Sequence, residues 1–125
     1  MARVSPEDLP PGPLVKGFAA GGFSVEGRIY RALFLTPETA AEWAPPPLAE
    51  LAIEHVEQAL ALPRPPEFLL LGTGPSLTFP PRAFLRAVEA RGLGVEVMDS
   101  RAAARTWGLL RAEERWIVAA LMPLA

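Results

Sequence analysis

Few residues in this chain have the types and spacing to do chemistry. Gly72-Thr73-Gly74 ends a short apolar run, and Ser76 follows closely. A glycine turn at the end of a strand can aim backbone N–H groups at a phosphate or carboxylate. The run is no dinucleotide fingerprint, because a third glycine is missing and no helix opens at once. It is no P-loop either, because no Gly-Lys-Ser/Thr follows. A tight turn that needs positive φ accounts for the same glycines. The second group is Ser100, Arg101, Arg105 and Thr106, which follow Met98. On a helix, Arg101 and Arg105 lie one turn apart and project together. They face either an anion or water.

The remaining reactive inventory is short. His55 is the sole histidine, and there is no cysteine. Disulfides, thiolate catalysis, cysteine zinc sites and iron–sulfur ligation are excluded. Any Ser-His dyad or imidazole metal site must use His55. That residue sits near Glu54 and Glu57 at the edge of an apolar helical stripe, where a satisfied, half-buried histidine is expected. Glu113 and Glu114 are adjacent, so their carboxylates diverge instead of sharing a site. No catalytic residue, metal site or cofactor is expected.

Composition narrows the partners. The 125 residues are half hydrophobic and carry a formal net charge of -2. That balance argues against a general nucleic-acid binder, which needs a basic surface to release counterions. The twelve basic residues are eleven arginines and Lys16. The opening MARVSPEDLPPGP has no basic region followed by an apolar run, so no signal peptide is read there. No stretch reaches the roughly 18 apolar residues of a membrane span. The expectation is a soluble, cytoplasmic protein.

The elements that must position these residues can be read in order. Residues 1–13 are polar and proline-rich, and read as an irregular arm. Residues 14–125 read as a single α/β domain. Turns at Gly21-Gly22 and Glu26-Gly27 break the next stretch into antiparallel strands. Arg28 to Leu35 reads as one strand, apolar on both faces. Thr36 to Pro47 reads as a loop carrying Trp43. A helix is expected over about 48–60, ended by Pro63, Pro65 and Pro66. Phe68–Leu71 reads as a buried strand, 81–91 as a helix with Pro81 in its first turn and Gly92 at its C-cap. Leu93–Met98 reads as a strand. A helix capped by Asp99 or Ser100 runs to about Leu110. Trp116–Met122 reads as a strand in the middle of a sheet, of open direction. This alternation predicts a compact layered α/β domain. Its central mixed, mostly parallel sheet is flanked by helices, with an N-terminal antiparallel hairpin region.

The GTG turn after an apolar strand, the EVMDSRAAARTWGLL helix and the EERWIVAALMPL strand resemble the family of mitochondrial respiratory complex I assembly factor 3. That family includes small bacterial and archaeal proteins. GGFSVEGRIYRALFLTP resembles its opening strands, so the likeness runs from about residue 14. It implies a compact α/β fold with a mixed sheet, and a binding role in assembly of the respiratory NADH dehydrogenase. Where the family commonly shows Thr, an aromatic and Asn, this chain has Thr106, Trp107 and Gly108, which removes a polar pocket side chain.

Two functions follow. One is a small non-catalytic interaction domain, an assembly or accessory factor with a protein partner. The alternative is a small anionic-ligand binder or weak enzyme. It would use Gly72, Thr73, Gly74 and Ser76 with Ser100, Arg101, Arg105 and Thr106, because parallel neighbouring strands would bring both turns to one sheet edge.

Overall fold

The computed structural model describes residues 12–125. The expected arm falls mostly on residues 1–11, outside the described residues. Pro13 is buried, and its carbonyl accepts the indole N–H of Trp107 at 3.0 Å.

Among the described residues, eight strands form two sheets. Strands β1 (Gly17–Ala19), β2 (Gly22–Val25) and β3 (Arg28–Tyr30) make an antiparallel meander. Its two-residue turns, Ala20-Gly21 and Glu26-Gly27, hold positive φ at every central residue. That geometry matches the natural strand twist. The larger sheet contains β4 (Leu33–Leu35), β5 (Ala40–Glu42), β6 (Phe68–Gly72), β7 (Gly94–Met98) and β8 (Val118–Leu121). Its order is β5-β4-β8-β6-β7. The sheet is mixed. The β8-β6-β7 half is parallel, and β8-β4-β5 is antiparallel.

The single strand expected over residues 28–35 is two strands in different sheets. Tyr30 pairs with Phe23, whereas Leu33 pairs with Leu121. Arg31 and Ala32 leave the ladder between them. The backbone groups of Ala32 find other partners, the Glu42 carboxylate at 2.9 Å and the Trp43 N–H at 3.0 Å. Those same contacts fasten β5, which occupies part of the expected 36–47 loop. The apolar pattern of 28–35 is interrupted at Arg31, which is where the chain switches sheets.

Strand β8 is central, and its direction is parallel to β6. It begins at Val118, so Trp116 stands before the strand and is only partly buried. Alanine occupies both middle positions of β8. Ala119 lies in register between Leu35 and Leu70, and Ala120 between Phe34 and Leu71. The small residues leave room on each face for the large ones beside them.

The two sheet faces bury separate cores. On one lie Phe34, Leu69, Leu71, Val118 and Ala120, covered by α2 (Arg82–Ala90) through Phe84 and Val88. The segment 48–60 covers the same face, but not as the continuous helix expected. It is a 3₁₀ turn at Leu48–Glu50, another at Ile53–Val56, then the short α1 (Glu57–Leu60). Leu51 is extended, with φ -64° and ψ 132°, which breaks the helix while its side chain stays in the core. On the other face lie Leu33, Leu35, Leu70, Ala119 and Leu121. That face is covered by α3 (Ser100–Ala112) and by Phe23, Val25 and Tyr30 of the meander. In α3 the buried residues Ser100, Ala103, Ala104, Trp107 and Arg111 follow helical spacing. Burying each large apolar side chain contributes about 1.5–3 kcal/mol.

Candidate functional site

Parallel pairing places the C-terminal ends of β6, β7 and β8 on one edge of the sheet. Gly72 is in register with Met98 on one side and Leu121 on the other. Gly72–Gly74, Asp99–Ser100 and Met122–Pro123 therefore meet. The crevice at such an edge is where open α/β sheets hold ligands.

The structure brings Gly72, Thr73, Gly74 and Ser100 together and joins them to each other. The Gly74 N–H donates to Ser100 Oγ at 2.8 Å, and the Ser100 N–H donates to the Gly74 carbonyl at 2.9 Å. Ser100 Oγ in turn donates to the Met122 carbonyl at 2.8 Å. Ser100 is fully buried. A β-carbon at Gly72 would lie 2.9 Å from Ser100 Cα and 2.9 Å from Leu121 Cδ2, so only glycine admits α3 this close. Gly74 has φ +109°, which suits glycine alone. Turn chemistry thus accounts for both glycines. The Gly74 N–H and the Ser100 hydroxyl are consumed internally. The positive end of α3 already holds a carboxylate, since Asp99 Oδ1 accepts from Ala102 N–H at 2.9 Å.

Thr73 and Ser76 shape the loop that follows. Thr73 Oγ1 donates to the Ser76 carbonyl at 2.8 Å and accepts from Thr78 N–H at 3.2 Å. Thr73 N–H donates to the Met98 carbonyl at 2.8 Å. This belt holds the loop so that Leu77 and Phe79 stand 54% and 68% exposed. Sequence reasoning missed both. The available signal was two apolar residues, spaced by one threonine, inside a turn otherwise built of Pro, Ser and Gly.

The arginines lie elsewhere. Arg101 and Arg105 are exposed on α3, directed toward β1 and the residues before it. The Arg101 guanidinium carbon is 5.8 Å from the Phe18 ring centroid. Arg105 lines a small pocket with Lys16 and Phe18. Thr106 Oγ1 donates to Met98 Sδ at 3.4 Å, so it braces α3 on β7.

A wider cleft of about 350 Å³ continues along the same edge, lined by Gly21, Gly22, Ile29, Arg31, Glu42 and Pro123 among others. Its carboxylate, Glu42, is tied to the Ala32 N–H. No hydroxyl or imidazole lines it.

His55 is far from this edge in role. Its Nδ1 accepts the Ala52 N–H at 2.9 Å, and its carbonyl accepts the Trp43 indole N–H at 2.9 Å. It is a half-buried turn-former. Glu113 is exposed near Arg115, and Glu114 takes φ +61° in the turn after α3. At the opposite edge, Glu67 accepts from Arg115 Nε at 2.8 Å and from Trp116 N–H at 3.1 Å. The Arg115 hydrogen bond first, and the Trp116 N–H second, hold its carboxyl below the usual glutamate range. Burial pushes the Arg111 guanidinium down from its ordinary value. Among the described residues, no group of three His, Asp or Glu is arranged to hold a metal ion, and no helix is long and apolar enough to cross a membrane.

Comparison with known proteins adds kinship to this geometry. A family model described as "Protein of unknown function (DUF498/DUF598)" matches residues 15–122. NADH dehydrogenase (ubiquinone) 1 alpha subcomplex assembly factor 3 of Danio rerio is 26% identical over 113 residues, which cover 90% of this chain. The chain spans 65% of that relative's length. A crystal structure of a Bordetella parapertussis protein matches with a TM-score of 0.80 at 35% identity, over 90% of this chain and 97% of that one. A solution structure from Bordetella pertussis, described as a Mth938-like domain, has a TM-score of 0.75 at 27% identity, over 100% of this chain and 92% of that one.

Proposed function

This chain belongs to the family described as "Protein of unknown function (DUF498/DUF598)", and from that premise we propose that it is a small non-catalytic interaction domain, an assembly or accessory factor acting on a partner protein. The observation that carries the reading is the loop after β6. Leu77 and Phe79 stand more than half exposed on a segment held by both hydrogen bonds of the Thr73 hydroxyl. Two large apolar side chains held outward side by side supply adjoining apolar surface that a protein partner can cover. A preordered loop also loses little entropy on binding. The likeness to an assembly factor supports the same class of activity.

The other reading, a small anion on the Gly72–Ser76 turn, has less support. Such an anion would have to displace the hydrogen bonds that Gly74 and Ser100 exchange. Cytoplasmic action is part of the proposal and is checked by fractionating the native cells.

The test is site-specific photo-crosslinking in the native organism. A photoreactive residue at position 79 should yield a discrete crosslinked protein, lost on Leu77→Ser. The same probe at Glu89, exposed on α2, should yield none. Equal products from both positions, or none from position 79, would defeat this reading.

A further inference from the structure

We propose that the outer face of α3 and the segment entering β1 form a binding site for a phosphate monoester carried on a small apolar group. The pocket is lined by Val15, Lys16, Gly17, Phe18, Ala104 and Arg105 and holds about 130 Å³. Its walls divide by chemistry. Lys16 and Arg105 are exposed cations, and Arg101 stands one helical turn before Arg105 with its guanidinium carbon 5.8 Å from the Phe18 ring centroid. Val15, Ala104 and Phe18 are apolar. Phe18 is 38% exposed at the pocket.

Three positive charges thus gather on one face of a chain whose net charge is -2. Among the described residues, the ion pairs join Arg91 to Glu57 and Arg115 to Glu67 and Glu113, and none involves Lys16, Arg101 or Arg105. Like charges one helical turn apart repel weakly, and an anion bound between them would offset that repulsion. The size selects the anion. Ligand pockets for drug-sized molecules run from roughly 300 to 1,000 Å³, whereas this open groove offers about 130 Å³. That is room for one tetrahedral group.

Charge selects phosphate over carboxylate. A phosphate monoester carries roughly -1.5 to -2 at neutral pH, which suits three cations better than a single negative charge. The planar fork of arginine binds phosphate oxygens two at a time. The phosphate would sit between Lys16 and Arg105, and the group it is esterified to would meet the exposed Phe18 ring. This site shares no residue with the Leu77–Phe79 loop and stands or falls separately from the interaction reading.

The experiment is an amide NMR titration of the full chain at constant ionic strength, with three probes: inorganic phosphate, phenyl phosphate and benzoate. Saturable shifts are expected at residues 15–18 and 101–105. Phenyl phosphate should bind about fivefold tighter than inorganic phosphate and about tenfold tighter than benzoate. The double variant Lys16→Gln/Arg105→Gln should lower phenyl phosphate affinity about tenfold with an unchanged Tm, since both side chains are exposed. Shifts that rise linearly or spread to Arg28, Arg64 and Arg86 would overturn the site, as would affinity unchanged in the double variant. Equal binding of all three probes would overturn the ligand class.

Discussion

Gly74 and Ser100 exchange two hydrogen bonds across the carboxyl edge of the sheet, at 2.8 Å and 2.9 Å. The two lie 26 positions apart in sequence. The pair joins the β6 turn to the start of α3, and the Ser100 hydroxyl extends the junction to Met122 after β8. One buried side chain thus fastens the ends of two strands and a helix.

Removing that hydroxyl should be felt throughout the edge. Ser100→Ala leaves the Gly74 N–H and the Met122 carbonyl without their partner. Leaving a buried polar group unpaired costs about 1–3 kcal/mol, and that loss is expected in urea unfolding with an unchanged m-value. A change below about 0.5 kcal/mol would mean that water reaches the junction and replaces the hydroxyl.

The two glycines should resist substitution for different reasons. Gly72→Ala pushes a methyl group against Ser100 and Leu121, an overpacking that costs about 1–3 kcal/mol. Gly74→Ala would bring a β-carbon 3.3 Å from the Pro123 carbonyl oxygen and place alanine at φ +109°, a backbone strain of about 1–3 kcal/mol. Truncating Ser100 to alanine should recover part of the loss in the Gly72→Ala background and none of it in the Gly74→Ala background. Thermal denaturation of the three single and two double variants checks this. Full additivity for Gly72 would show that the helix moves away freely.

The tryptophans should differ sharply. Trp107 is fully buried and donates to the Pro13 carbonyl, so Trp107→Ala is expected to cost about 3–5 kcal/mol. Trp116 precedes β8, with Arg64 4.3 Å over its ring, and Trp116→Ala should cost only about 1 kcal/mol. Denaturant curves followed by circular dichroism give both values. If residues 14–125 form one domain, each variant unfolds in a single transition, and two resolved transitions would refute that unit.

Glu67 sets a pH dependence whose sign is fixed. Its carboxyl is held below the usual range by the Arg115 hydrogen bond and the Trp116 N–H. The unfolded chain therefore takes up this proton first as pH falls. The stabilisation is complete above the ordinary glutamate pKa and is lost as pH falls through the lower folded value. Carboxyl NMR of the folded protein should show Glu67 titrating below the ordinary glutamate value, and Glu67→Gln should flatten that part of the stability profile. A Glu67 that titrates at the ordinary value would remove the effect.

Much of this molecule is dictated locally. The apolar runs at 68–71 and 93–98, the helical spacing of 100–110 and the cap at Asp99 each follow from backbone sterics and short-range periodicity. They place an α/β fold and two turns after strands directly in the sequence. The absence of cysteine and the single histidine narrow the chemistry without any fold at all. What a chain segment cannot specify by itself is which partner takes its hydrogen bonds and which side of it meets water. The split of 28–35 between two sheets depends on Leu121, distant in sequence, which pairs with Leu33 while Tyr30 stays in the local hairpin with Phe23. The helix expected over 48–60 gives way to 3₁₀ turns because Leu51, Val56 and Ala59 must reach one sheet face from a chain that Trp43 and His55 tie down. Trp116 reads as strand by composition, yet the register of β8 with β6 starts at Val118. At the site, the glycines, Ser100 and the arginines are visible as residues. Only packing decides that Ser100 is consumed by Gly74, that Arg101 and Arg105 face β1, and that Leu77 and Phe79 are left in water. The first two rest on contacts between residues far apart in sequence and the third on the bonds of the Thr73 hydroxyl within its own turn, none of which short-range periodicity encodes.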